Sequence, residues 1–226
     1  MRLLALDTSS LACSVALLSD SVITECYEEK PREHTRIVMP MIKQLLSDAA
    51  TSLRDLDAIV LGNGPGSFIG MRIGASVAQG MAHGSGLAII PVSSLAAVAS
   101  QVLADTTAEA VVVAQDAHMQ QVYLGLYSRG SDDSPLPLCD ERLQDLSAVP
   151  ELAKVTGVYA AGAGWQQYPQ LLAANSPRLA SHSPLQFPRA SQLIRLATMD
   201  AAIDPAALEP AYLRQTVARK SVRLDS

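Results

Sequence analysis

The feature that most constrains this chain is an order of short apolar runs, turns and amphipathic stretches that occurs twice. Residues 2–7 (RLLALD) form an apolar run ending in an acid, and 12–18 and 21–27 read as two further strands around a turn at Ser19-Asp20. A helix is predicted over about 34–49, where Ile37, Val38, Met41, Ile42, Leu45 and Leu46 recur at helical spacing. Thr35 is placed to cap it, and Pro40 either kinks it or marks where its regular part begins. A strand at 57–61, a glycine-rich loop at 62–68, a helix at about 70–82, a strand at 87–91 and a helix at about 93–104 complete the first run. The order then restarts. Residues 109–115 run into Asp116, 122–128 return as a hairpin partner, and 136–142 supply a third strand. A helix near 147–154, a strand at 156–161, a second glycine turn (Gly162-Ala163-Gly164), a helix from Trp165, a short strand near 178–181 and a helix near 190–200 follow.

Three antiparallel strands followed by alternating helix and strand is the ribonuclease-H-like order. Two copies in tandem predict an α/β protein of the actin-like ATPase superfamily, the architecture of actin, Hsp70 and the sugar kinases. The lobes are expected at 1–104 and 105–226, with the tail returning to the first lobe. Identity between the halves is negligible, so the duplication rests on element order alone.

Composition narrows the function classes. Hydrophobic residues at 49% and charged residues at 17% exclude a disordered chain. No apolar run reaches the ~18 residues of a membrane span, and the N-terminus meets Asp7 too early for a signal peptide. A net charge of −5 provides no global footprint for nucleic acid, so a role on RNA would need a partner to supply the grip. Cys13, Cys26 and Cys139 are odd in number and lack CxxC spacing, which argues against a disulfide framework and a zinc cage. A soluble, reduced, cytoplasmic protein is expected.

Three groups of residues could carry chemistry. Asp7-Thr8-Ser9 and Asp116 sit at the turns that grip nucleotide phosphates in duplicated folds of this kind. There an acid can hold hydrated Mg²⁺ while hydroxyls and N–H groups meet phosphate. Equally, Asp7 can cap the strand while Ser9 or Ser10 satisfies the hairpin backbone. Gly64, Gly66 and Ser67 open onto a helix N-terminus, which suits either an anion or merely a sharp turn, and no P-loop Lys-Ser/Thr ending follows. The next helix carries Gly66, Gly70, Gly74, Ala78 and Ala82 at steps of four, beside a ridge of Ile73, Val77 and Met81. Glycine within a helix costs ~1 kcal/mol relative to alanine, so this bare face needs a reason. Either it packs on the chain's own sheet or it meets another subunit. The interface reading assigns it Gly70, Ile73, Gly74, Val77, Ala78 and Met81, with Ile37, Met41 and Leu45 from the earlier helix. His34, His83, His118 and His182 show no metal-ligand spacing and read as surface or capping residues. Arg214, Arg219, Lys220 and Arg223 make a basic tail, read as a solvated end or a contact for RNA phosphates.

Leu4-Ala5-Leu6-Asp7-Thr8-Ser9, Pro31-Arg32-Glu33-His34-Thr35, Gly64-Pro65-Gly66-Ser67-Phe68-Ile69-Gly70-Met71-Arg72-Ile73-Gly74, Val92-Ser93-Ser94-Leu95 and Pro210-Ala211-Tyr212-Leu213-Arg214 together resemble the TsaB family of bacterial tRNA threonylcarbamoyladenosine biosynthesis proteins, once labelled glycoprotease-like. Ile69 departs from the family's usual threonine. The resemblance implies a catalytically silent paralogue of TsaD, because Ser94 and Val98 stand where TsaD has two metal-binding histidines. It further implies pairing with TsaD through a helix bundle, recruitment of the ATPase TsaE, and tRNA contacted through the complex. No catalytic residue, metal or tightly held cofactor is expected, with ATP or ADP at the subunit interface as the one candidate ligand. Whether the isolated chain forms a homodimer is left open. The alternative reading is a stand-alone enzyme, either a metallopeptidase or an ATPase.

Overall fold

Strand β1 (Leu3–Asp7) is buried along its whole length, as a strand must be when elements cover both faces of its sheet. In a computed structural model that describes residues 1–214, it lies at the centre of a five-stranded sheet ordered β3-β2-β1-β4-β5. β2 (Cys13–Ser19) and β3 (Val22–Glu28) pair antiparallel, while β4 (Ala58–Gly62) and β5 (Ala88–Val92) run parallel to β1. The second sheet repeats the plan. β6 (Ala110–Asp116) pairs antiparallel with β7 (Gln121–Arg129) and parallel with β10 (Val158–Ala161), and β11 (Ser181–His182) closes the edge. The fold is α/β, with two ribonuclease-H-like lobes in the actin-like arrangement.

The lobes exchange their last helices. α1 (His34–Asp48) and α2 (Phe68–Ser85) cover one face of the first sheet, but the other face is covered by Ala190, Leu193 and Ile194 of α6 (Ala190–Leu196). In return, Leu95, Val98, Val102 and Leu103 of α3 (Ser94–Asp105) pack on Val111, Val113, Tyr123 and Tyr127 of the second sheet. Each exchanged helix is capped by the lobe it visits. Arg129 donates to the carbonyls of Leu103, Thr106 and Ala108 at the end of α3. Ser14 Oγ accepts from the Ala190 N–H at 2.8 Å, and Glu25 Oε1 accepts from the Ser191 N–H at 3.1 Å, at the start of α6. The tail also returns to the first lobe, where Ile203 bridges to Ile89 and Leu208 enters the core under α1 and α2.

Several expectations are corrected. The third strand of the second lobe is split into β8 (Pro135–Pro137) and β9 (Arg142–Asp145), both on β7. Two prolines remove ladder donors, and between the pieces Glu141 turns inward to accept from Tyr127 Oη and Ser93 Oγ. The helix expected near 147–154 is a single 3₁₀ turn, Pro150–Lys154, because Pro150 holds Val149 extended. The helix from Trp165 breaks at Pro169 into α4 (Gly164–Gln167) and α5 (Pro169–Asn175), and α6 ends at Leu196. α1 runs through Pro40 and is not capped by Thr35. His34 is buried, its Nε2 3.2 Å from the Ala12 carbonyl, so it pins α1 to the β1–β2 turn instead of lying on the surface. Among the described residues no helix is long and apolar enough to cross a membrane.

Candidate functional site

Asp7 closes β1 with both carboxyl oxygens hydrogen-bonded inside the protein. Its Oδ1 accepts from the Ser9 N–H and Ser9 Oγ, each at 2.8 Å, and its Oδ2 accepts from Ser94 Oγ at 2.6 Å. Ser94 Oγ in turn accepts from the Gly64 N–H at 3.1 Å, and Gly64 O accepts from the Ser94 N–H at 2.9 Å. Thr8 Oγ1 donates to the Gly70 carbonyl, and Ser67 Oγ accepts from the Gly70 N–H as the N-cap of α2. Burial pushes the Asp7 pKa up, against the lowering effect of these serines. These are the hydrogen bonds expected of an acid that caps its strand and hairpin turn. The carboxylate, Ser9 and Ser94 form a buried tie between β1, the glycine loop and α3.

The bare face of α2 serves the same tie, which corrects the interface reading of Gly70, Gly74 and Ala78. A Cβ on Gly70 would lie 2.0 Å from the Thr8 carbonyl oxygen, and one on Gly74 would lie 2.7 Å from Thr8 Oγ1 and 3.3 Å from Leu61 Cδ1. A Cβ on Gly66 would meet the Ser9 carbonyl oxygen at 2.3 Å. Ala78 is fully buried, and Met41, Leu45 and Met81 are buried in the first lobe's own core. The close approach that glycine permits is therefore made by the chain's own β1–β2 turn. What α2 turns outward is its other side. Ile69 is 70% exposed, Phe68 is exposed, and Ile73 and Val77 are half-buried. With Thr35 and Met39 of α1 these residues line an open apolar groove. Ile37 is half-buried against the first lobe's core and does not line the groove. Phe68, Ile69 and Met39 were missed in the sequence, although Ile69-Ile73-Val77 keeps a step of four that extends the noted ridge toward the helix start.

Asp116 sits at the equivalent strand end but faces the cleft between the lobes. Its Oδ1 accepts from the His118 N–H at 2.8 Å and from Tyr168 Oη at 2.7 Å, and its Oδ2 lies 3.0 Å from His118 Nδ1. The cleft holds two cavities of about 110 and 150 Å³ that share Gly66, Ser67, Asp116 and His118. Each is below the ~300–1,000 Å³ usual for a small-molecule site. Among the described residues no buried side-chain polar atom lacks a partner, and no three His, Cys, Asp or Glu side chains come together. The acids and glycines thus meet around the cleft: Gly66, Ser67 and Asp116 line its cavities, while the Asp7 oxygens bond to Ser9 and Ser94 behind them. Ser94 supports Asp7, and Val98 is buried against the second sheet. Arg219, Lys220 and Arg223 lie outside the described residues.

Comparison with known proteins agrees with this geometry. A family model described as TsaD, tRNA N6-adenosine threonylcarbamoyltransferase, matches residues 26–141. The tRNA threonylcarbamoyladenosine biosynthesis protein TsaB of Escherichia coli is 36% identical over 98% of this chain and 98% of its own length. That of Haemophilus influenzae is 36% identical over 98% and 97%. The solved structure of YeaZ from Pseudomonas aeruginosa superposes with a TM-score of 0.82 at 33% identity, covering 94% of this chain and 99% of that one. With identity at this level over nearly the full length of both chains, and a two-lobe fold to match, this chain belongs to the TsaB family.

Proposed function

We propose that this chain is a non-catalytic subunit of the machinery that makes threonylcarbamoyladenosine in tRNA, pairing with a TsaD-type transferase and helping to recruit the ATPase TsaE. The observation that carries the reading is the contrast between a saturated interior and an open groove. The Asp7 turn spends its carboxylate and hydroxyls on holding itself together, whereas Ile69, Ile73 and Phe68 of α2 present apolar surface beside Met39 of α1. A row of apolar side chains between two helices suits the helices of a partner subunit. The same groove would join two copies of the chain when no partner is present. In this reading tRNA is held mainly by the partner, in keeping with the net charge of −5, and nucleotide is not gripped at Asp7 by this chain alone.

Reconstituted tRNA modification should require this chain together with a TsaD-type partner. Ile69→Glu, at an exposed position, should leave the isolated chain folded and weaken pairing by about tenfold or more, read in a binding titration. Wild-type affinity in that variant would move the pairing face elsewhere. Substantial ATP turnover by the lone wild-type chain, or about one tightly held iron or zinc per chain, would reverse the non-catalytic assignment.

A further inference from the structure

The tail segment 209–214 crosses from one lobe to the other. On the first lobe, Asn63 Nδ2 donates to the Glu209 carbonyl at 3.0 Å, and the Asn63 carbonyl accepts from the Ala211 N–H at 3.3 Å. Tyr212 then lies against the start of α2. Its ring centroid is 5.3 Å from that of Phe68, and its hydroxyl accepts from Arg72 Nε at 3.1 Å. The Arg72 guanidinium in turn sits 3.9 Å over the Phe68 ring. On the second lobe, Arg214 donates to the Ala117 carbonyl at 2.9 Å, the His118 carbonyl at 3.3 Å and Gln121 Oε1 at 2.8 Å.

The turn that Arg214 grips is unusual. His118, Met119 and Gln120 have φ of 60°, 53° and 60°, three consecutive left-handed residues without a glycine among them. L-residues disfavour such a run, because each Cβ crowds the following carbonyl oxygen. A fixed cation on two of the turn's carbonyls offsets that cost.

We infer that segment 209–214 is a clasp that holds the β6–β7 turn in its left-handed form and sets its position relative to α2, with Tyr212 as the anchor and Arg214 as the latch. Phe68 and Arg72 face the α1–α2 groove on one side and hold Tyr212 on the other, so the clasp joins the groove to the cleft-facing turn. It stands whether or not a partner occupies the groove.

The decisive property is action at a distance: Tyr212 must stabilise a turn that Arg214, and not Tyr212, contacts. Hydrogen exchange on the full chain tests this. Arg214→Ala and Tyr212→Ala should each speed exchange at residues 117–121 on the order of tenfold, with the amides of β1 and β6 unchanged and a wild-type melting curve. Arg214→Lys should fall between, because an ammonium brings the charge without the planar fork. If Tyr212→Ala disturbs α2 itself, Asn63→Ala cuts the same strap at Glu209 and should give the same acceleration. Unchanged exchange at 117–121 in Arg214→Ala would remove the latch. Acceleration in Arg214→Ala alone, with the Tyr212 and Asn63 variants like wild type, would show independent contacts and overturn the clasp.

Discussion

Asp7 and Asp116 end equivalent strands in two sheets of the same order, yet one is buried in a closed knot and the other faces a cleft. The difference lies in where the glycines after the fourth strand of each lobe press on the first strand. In the first lobe, Gly66 and Gly70 press on the carbonyls of Ser9 and Thr8, beyond the acid. In the second lobe, Gly162 and Gly164 press on the carbonyl of Ala114, before the acid. Contact beyond the acid seals the Asp7 turn. Contact before it leaves the Asp116 turn to be held by His118, Tyr168 and the tail's Arg214. One topology thus yields two chemical environments from a shift of a few residues in a glycine contact.

The largest test of this contrast is Gly70→Ala. The added Cβ would strike a backbone oxygen that cannot swing away, so the variant should lose about 3 kcal/mol or more of stability in urea unfolding. An unchanged midpoint would mean that α2 and the Asp7 turn part freely. Asp7→Ala ranks next, at about 2–3 kcal/mol, because Ser94 Oγ, Ser9 Oγ and the Ser9 N–H lose a buried acceptor. Asp116→Ala should cost only about 1 kcal/mol or less, since its partners can turn to water. Equal losses in the two alanine variants would erase the distinction between the turns.

The smallest effect is on pH dependence. Burial raises the Asp7 pKa above its ordinary value of 3.8, so the folded chain holds that proton more tightly than the unfolded chain. Stability from this group is therefore present at low pH and falls as pH climbs from the ordinary carboxylate range through the raised folded value. Glu141, raised by burial between Ser93 and Tyr127, adds a slope of the same sign. Asp7→Asn should flatten the urea-midpoint profile across this window while leaving the Glu141 share, and an identical slope in the variant would contradict the shift.

Much of the fold was legible in residue order. The strand-turn-strand runs ending at Asp7 and Asp116 gave both sheets, because alternation and strand-end acids are local signals. The second lobe was less readable, since its third strand and two of its helices are shortened by Pro135, Pro137, Pro150 and Pro169, and the inward pull on Glu141 depends on a tyrosine from β7. Helix exchange had no local signal at all. The apolar faces of α3 and α6 reveal that they are buried, but not on which sheet.

The sequence by itself marked Gly70, Gly74 and Ala78 as a bare face of α2, at ~1 kcal/mol for each interior glycine relative to alanine, but the same four-residue step recurs at Gly80 and Gly84, where the structure leaves open space. The sequence also determined two acids at two strand ends. Only the tertiary structure decided which face is approached and by what, placing the Thr8 carbonyl, 62 residues from Gly70, against the first of these and leaving Ile69 and Ile73 to look outward. Periodicity specifies a face of a helix, whereas the identity of its neighbour depends on how distant strands pair and stack, and no local pattern records that.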